Sequence, residues 1–212
     1  KPDFMTFVTT SVDERALGGK ATRKEVTVYF TGRKQDPNMA VLIYLPNEKA
    51  GPVPLFVGLN FGGNHTINAD PAIKLSTSWM RPGRGGSVNN RATEKSRGTS
   101  SSSYPAASIL KRGYGLATVY YGDIDPDFHD GFKNGVHPLF DKLTNGQRQG
   151  DAWGSIGAWA WGDRMVWGYG GGSYSDADIR EAFVVHVQLL YLQWPIGQWQ
   201  CRMVYHNRCE HL

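Results

Sequence analysis

The stretch PLFVGLNFGGNHT, residues 54–66, runs apolar from Leu55 to Leu59 and then changes abruptly to Asn60, Phe61, Gly62, Gly63, Asn64 and His65. A short apolar run without alternation, closed by turn residues, is the pattern of a strand covered on both faces. The glycine pair behind it marks a place where backbone approaches another group without a Cβ in the way. The stretch therefore predicts a buried strand that ends in a functional loop.

The neighbouring segments place that strand in an α/β order. FMTFVTTSV (4–12), KEVTVYFTG (24–32) and AVLIYLP (40–46) read as strands, with turn chemistry at GGK and DPN between them. Residues 62–104 are rich in Gly, Ser, Asn and Arg and show little periodicity, so they form a long loop of the kind that is either functional or disordered. PAASILKRGYG (105–115) predicts a short helix that Gly113 can end, and GLATVYYGD (115–123) a second buried strand. DAWGSIGAWAWG (151–162) is apolar at helical spacing. Antiparallel strands followed by strand–loop–helix–strand–loop–helix fit a sheet that becomes parallel after an antiparallel start.

Composition narrows the class without choosing a function. The 212 residues are 40% hydrophobic and 20% charged, which is the balance of a packed domain rather than a disordered chain. The formal charge of +4 comes with both signs interspersed and does not by itself point to nucleic acid. No apolar stretch approaches the ~18 residues that a membrane span needs. Lys1-Pro2-Asp3 carries no initiator Met and no signal peptide, the mark of a mature or trimmed chain. Cys201 and Cys209 leave a bridge and two free thiols equally open.

Five blocks carry a resemblance: ALGGKATRKEVTVYFTG, VPLFVGLNFGGNHTI, ILKRGYGLATVYYGDIDPDF, DGFKNGVHPLF and WGSIGAWAWG. In this order they closely resemble the glucuronoyl esterase family of carbohydrate esterases, whose bacterial members are often labelled acetyl xylan esterases. The resemblance spans roughly residues 11–162. It implies a three-layer α/β-hydrolase sandwich, here apparently incomplete, with residues 1–162 as the N-terminal part of the domain. It implies serine-dependent hydrolysis of glucuronoyl or acetyl esters of xylan, no metal or other cofactor, and a secreted or periplasmic location. In such a fold the loop after this strand gives a backbone N–H to the oxyanion hole. That role falls here on Gly62, Gly63 and Asn64.

The family's G-x-S-R-x-G-K nucleophile turn, its catalytic His and its acid have no counterpart in the chain, so the catalytic residues are unknown. The likeness stops after Gly162, and residues 163–212 read as a divergent tail that holds both cysteines and three of the six histidines. Within it, Gly168 to Gly172 imitate an elbow with glycine at the serine's place. Ser173 and His186 are read as ordinary polar residues, and Ser155 as a helix residue. A hydrolase cut short in this way leaves a sheet edge exposed to self-association, unless residues 180–194 cover it.

The remaining constellations are weaker. DIDPDFHD (123–130) lacks the glycine and glutamate of a calcium loop and reads as an Asx-stabilised turn. Cys201, His206, Cys209 and His211 match no common zinc spacing. Arg81, Arg84, Arg91, Lys95 and Arg97 against Glu94 make the long loop basic. They suit either a rim that attracts an acidic polysaccharide such as glucuronoxylan or a solvated loop whose charges do nothing specific. They lack the interleaved aromatics of a nucleic-acid surface. Asn64-His65-Thr66 is a sequon in a loop too enclosed for a glycan, and His65 is expected to fix that loop through its ring nitrogens.

Overall fold

A computed structural model describes residues 5–49, 51–83, 86–141, 145–148, 150–171 and 184–186, with backbone alone for 167–171 and 184–186. In chain order the elements are β1 (Thr6–Arg15), a single turn α1 (Ala16–Gly19), β2 (Ala21–Tyr29), β3 (Asn38–Pro46) and β4 (Leu55–Asn60). After the long loop come α2 (Ala106–Lys111), β5 (Gly115–Tyr120), α3 (Tyr121–Ile124), α4 (His137–Asp141), α5 (Ser155–Gly171) and β6 (Val184–His186). The sheet order is β1-β2-β3-β5-β4-β6. β1, β2, β3 and β5 pair antiparallel in succession, whereas β4 runs parallel to both β5 and β6.

The apolar runs are continuous because the sheet is covered twice. Along β3, Val41 and Ile43 point into one core with Leu55 and Val57 of β4, Val119 of β5, and Ala158 and Val166 of α5. Leu42 and Tyr44 point into the opposite core with Leu116 of β5, Ile67, Ile73, and Ala106 and Leu110 of α2. Alternate residues thus serve opposite faces, and each face needs an apolar partner. The expected strand near 54–60 and the expected helix near 150–162 lie where the pattern puts them. α5 runs on without interruption to Gly171, beyond Gly162.

α3 and α5 approach closely at a glycine. A Cβ built on Gly162 would stand 2.3 Å from Cδ1 of Ile124, so only hydrogen at this position lets the two helices meet. Of residues 180–194, the described part is β6, whose Val184–His186 lie beside Leu55–Val57. Ser173, Cys201, His206, Cys209 and His211 lie outside the described residues, as does the elbow-like segment's Gly172.

Candidate functional site

The loop after β4 is built around one buried amide. Asn60 closes the strand with its side chain fully buried. Its Nδ2 donates to Asn64 Oδ1 at 2.7 Å and to Thr118 Oγ1 of β5 at 2.9 Å. Its Oδ1 accepts the Gly63 N–H at 2.7 Å. Asn64 Nδ2 in turn donates to the Ala40 carbonyl on β3 at 2.8 Å. Three strands therefore hold the loop through two side-chain amides, and a buried amide with all its groups engaged is rigid.

Gly63 turns the chain at φ +94°, a left-handed value that favours glycine. A Cβ there would also stand 2.6 Å from Cε1 of His65. The Gly63 amide is thus engaged by Asn60, while no described residue accepts a hydrogen bond from the amides of Gly62 or Asn64. Thr66 locks the turn from behind, giving both its N–H and its hydroxyl to the Gly63 carbonyl.

His65 is fully buried beneath Gly63. Its Nε2 lies 2.8 Å from Ser96 Oγ, and that hydroxyl gives its proton to the Thr93 carbonyl. The serine oxygen therefore accepts, Nε2 carries the hydrogen, and Nδ1 is left bare and without a partner. Burial, reinforced by the nearby Arg97, pushes the ring's pKa down from 6.5 to about 4. A neutral imidazole tied to a second loop segment is a clamp.

Beside the loop, at the carboxyl end of β5, opens a cleft of about 420 Å³ that reaches Asn64 but neither Gly62 nor Gly63. Asp123 of α3 lies in it and joins three elements. Its carboxylate accepts the Ala40 N–H at 3.1 Å and the Ser78 hydroxyl at 2.5 Å. Burial raises its pKa from 3.8 to about 6 against those two hydrogen bonds. The other carboxylates of the segment diverge. Asp125 faces the buried His137, Asp127 takes the Tyr121 hydroxyl and Arg81, and Asp130 is occupied by the amides of Phe132, Lys133 and Asn134. Among the described residues no group of three His, Cys, Asp or Glu side chains is placed to hold a metal.

The described basic residues of the long loop take separate partners. Arg81 pairs with Asp127 at 2.7 Å, and Arg91 donates to the Thr77 carbonyl at 2.7 Å. Arg97 is only 11% exposed and binds Glu94 and the carbonyls of Asp70 and Ile73, so it braces the loop from within. Lys95 is exposed, and Arg84 lies outside the described residues. The anchoring roles of Asn60, Ser96 and Asp123 are not readable from the sequence. Only the polar interruption at Asn60, closing an apolar strand, hints at one of them.

A sheet that becomes parallel at β5 and β4, with helices on both faces and a glycine loop at the carboxyl end of β4, defines an α/β-hydrolase fold. The chain is 43% identical over 164 residues to the carbohydrate esterase MZ0003 of an unknown prokaryotic organism. Its fold matches a glucuronoyl esterase from Solibacter usitatus with a TM-score of 0.72 at 39% identity, over 88% of this chain. The chain belongs to the glucuronoyl esterase family of carbohydrate esterases. A promiscuous CE15 esterase from a marine bacterial metagenome also matches, with a TM-score of 0.70 at 39% identity over 86% of the chain. No family model matches. The chain spans 38% of the length of MZ0003 and 46% of the Solibacter enzyme.

Proposed function

We propose that this chain forms the oxyanion side of a carbohydrate esterase whose reaction is serine-dependent hydrolysis of glucuronoyl or acetyl esters of xylan, in a secreted or periplasmic setting. The observation that carries the reading is the loop held by Asn60. It presents Gly62, Gly63 and Asn64 at the carboxyl end of β4, with two amides unclaimed by described residues. Backbone N–H groups held rigid before the reaction begins stabilise the charge that develops on an ester's carbonyl oxygen. Arg81 and Lys95 would favour an acidic polysaccharide by their charge.

A second reading concerns the chain by itself, as an inactive relative that at most binds an acidic glycan. In an α/β-hydrolase the nucleophile follows a strand on a sharp turn. β6 is the strand that flanks β4 on the side away from β5, and residues 187–200 contain no Ser, Thr or Cys. Nowhere does the chain contain G-x-S-x-G. Oxyanion donors without a nucleophile and base leave on the order of 10³-fold over water.

Both readings meet one experiment. The purified chain should hydrolyse neither benzyl glucuronate nor acetylated xylan above a heat-treated control, and a fluorophosphonate should label no serine. Stoichiometric labelling at Ser173 or Ser155 would overturn the second reading and make this chain an enzyme with a displaced nucleophile. The first reading predicts turnover once the chain is joined to the carboxyl-terminal half of a family member. Absence of turnover in a folded fusion would sink it.

A further inference from the structure

The cleft beside the loop carries its own recognition chemistry. It is walled by β2 and β3 on one side, by residues 74–79 of the long loop on another, and by the segment from Pro126 to Gly135 on the third. Its volume of about 420 Å³ falls within the roughly 300–1,000 Å³ of small-molecule sites. Trp79 and Phe128 stand together in the wall, ring centroids 4.8 Å apart and tilted by 47°. Phe128 is 41% exposed, so part of its ring is open to a ligand in the cleft.

The polar lining is mixed in character. Lys74 Nζ, Thr27 Oγ1 and the side-chain carbonyls of Asn38 and Asn134 make no hydrogen bond with any described residue. They offer an ammonium donor, a hydroxyl that can donate or accept, and two acceptors. The charges that face the cleft are the Lys74 ammonium and the carboxylates of Glu25 and Asp123. One cation against two carboxylates does not recognise an anion, and Lys74 does not suit a cation. Apolar rings beside alternating donors and acceptors match a molecule with a C–H face and a rim of hydroxyls.

We propose that this cleft is a subsite for a neutral pyranose unit of the polysaccharide, stacked on Trp79 and Phe128 and separated from the ester-binding loop by Asn64. The proposal rests on the carbohydrate-esterase reading. It adds a place where the uncharged part of the chain is held, apart from the acid or ester group. Asp123 acts there as a positioning residue: through Ser78 and Ala40 it fixes the loop that carries Trp79 against β3.

The test uses xylotetraose, which has neither ester nor acid, titrated into the purified chain and followed by calorimetry and tryptophan fluorescence. One saturable site is expected. Trp79→Ala and Phe128→Ala should each weaken it at least tenfold, Thr27→Val several-fold, and free glucuronate should not compete. Phe128 is already exposed, so its variant folds and keeps the test decisive even if Trp79→Ala does not. A flat titration of folded protein, unchanged affinity in Phe128→Ala, or full competition by glucuronate would each overturn the subsite. Because the probe cannot be hydrolysed, the outcome is separate from the esterase reading. A flat titration leaves that reading standing, and an inactive fusion leaves the sugar isotherm standing.

Discussion

Gly63 and His65 form a pair in which each dictates the other. Replacing Gly63 by Ala imposes a left-handed residue with a Cβ, costing about 1–3 kcal/mol, and drives that Cβ into the imidazole. The expected outcome is a loss of at least ~2 kcal/mol in urea unfolding, since His65 is packed on every side and has little room to yield. The same burial sets a pH dependence. The folded ring binds its proton near pH 4 and the unfolded ring near 6.5, so the unfolded state holds more protons in between. His65 therefore contributes stability that is present above about pH 6.5 and lost as the pH falls toward 4, by no more than about 3 kcal/mol. Asp123 has the opposite sign. Its folded pKa is raised to about 6, so its contribution is full below 3.8 and disappears as the pH rises through 6. Denaturation between pH 4 and 7 should separate the two: His65→Gln flattens the acid limb, and Asp123→Asn steepens it. A His65→Gln profile that matches the unsubstituted chain would refute the assignment.

At the scale of elements, the contact between α3 and α5 is the most exacting. Gly162→Ala inserts a methyl where Ile124 already stands, and overpacking of this kind costs typically 1–3 kcal/mol. Ile124→Ala alone leaves a cavity and costs about 2–5 kcal/mol. The double variant should be more stable than the sum of the two losses predicts, because each change fills or vacates the same space. Strict additivity in a double-mutant cycle would mean that the helices do not meet there. The sequence showed α5 as an apolar helix but not its partner, because helical period reveals which face is buried and not what buries it.

For the molecule as a whole, the open question is the sheet's two edges. β1 is a ten-residue edge strand with Val8 and Val12 exposed, the latter to 52%, and an unprotected edge invites pairing with another chain. On the far side the described residues of β6 lie beside Leu55–Val57 of β4. We expect concentration-dependent association in sedimentation, reduced by Val12→Lys, which sets a charge on the edge at little cost to the fold. Association that persists undiminished would assign it to the β6 side. The proposal that residues 163–212 are a divergent tail carries a further expectation that needs no protein. The encoding DNA, read beyond codon 162 in another forward frame, should contain a G-x-S-R-x-G-K block. If neither frame contains it, and the tail proves to be a well-packed part of one sheet, the idea that the tail departs from the family by rearrangement fails.

The order of elements, the strand in the parallel region and the loop behind it were legible in the sequence. Those features are written in local pattern: apolar runs long enough for a strand, glycines where a left-handed turn is needed, and blocks that recur in a family. Which groups are engaged follows instead from the packing of distant segments. Asn60 claims the Gly63 amide for itself, Arg97 turns inward to brace a loop instead of facing solvent, and Asp123 joins β3 to a loop forty-five residues earlier in the chain. The cleft of Thr27, Lys74, Trp79, Phe128 and Asn134 draws on three separate segments. Hydrogen bonds and burial at such separations depend on where the chain returns in space, and no local period records that.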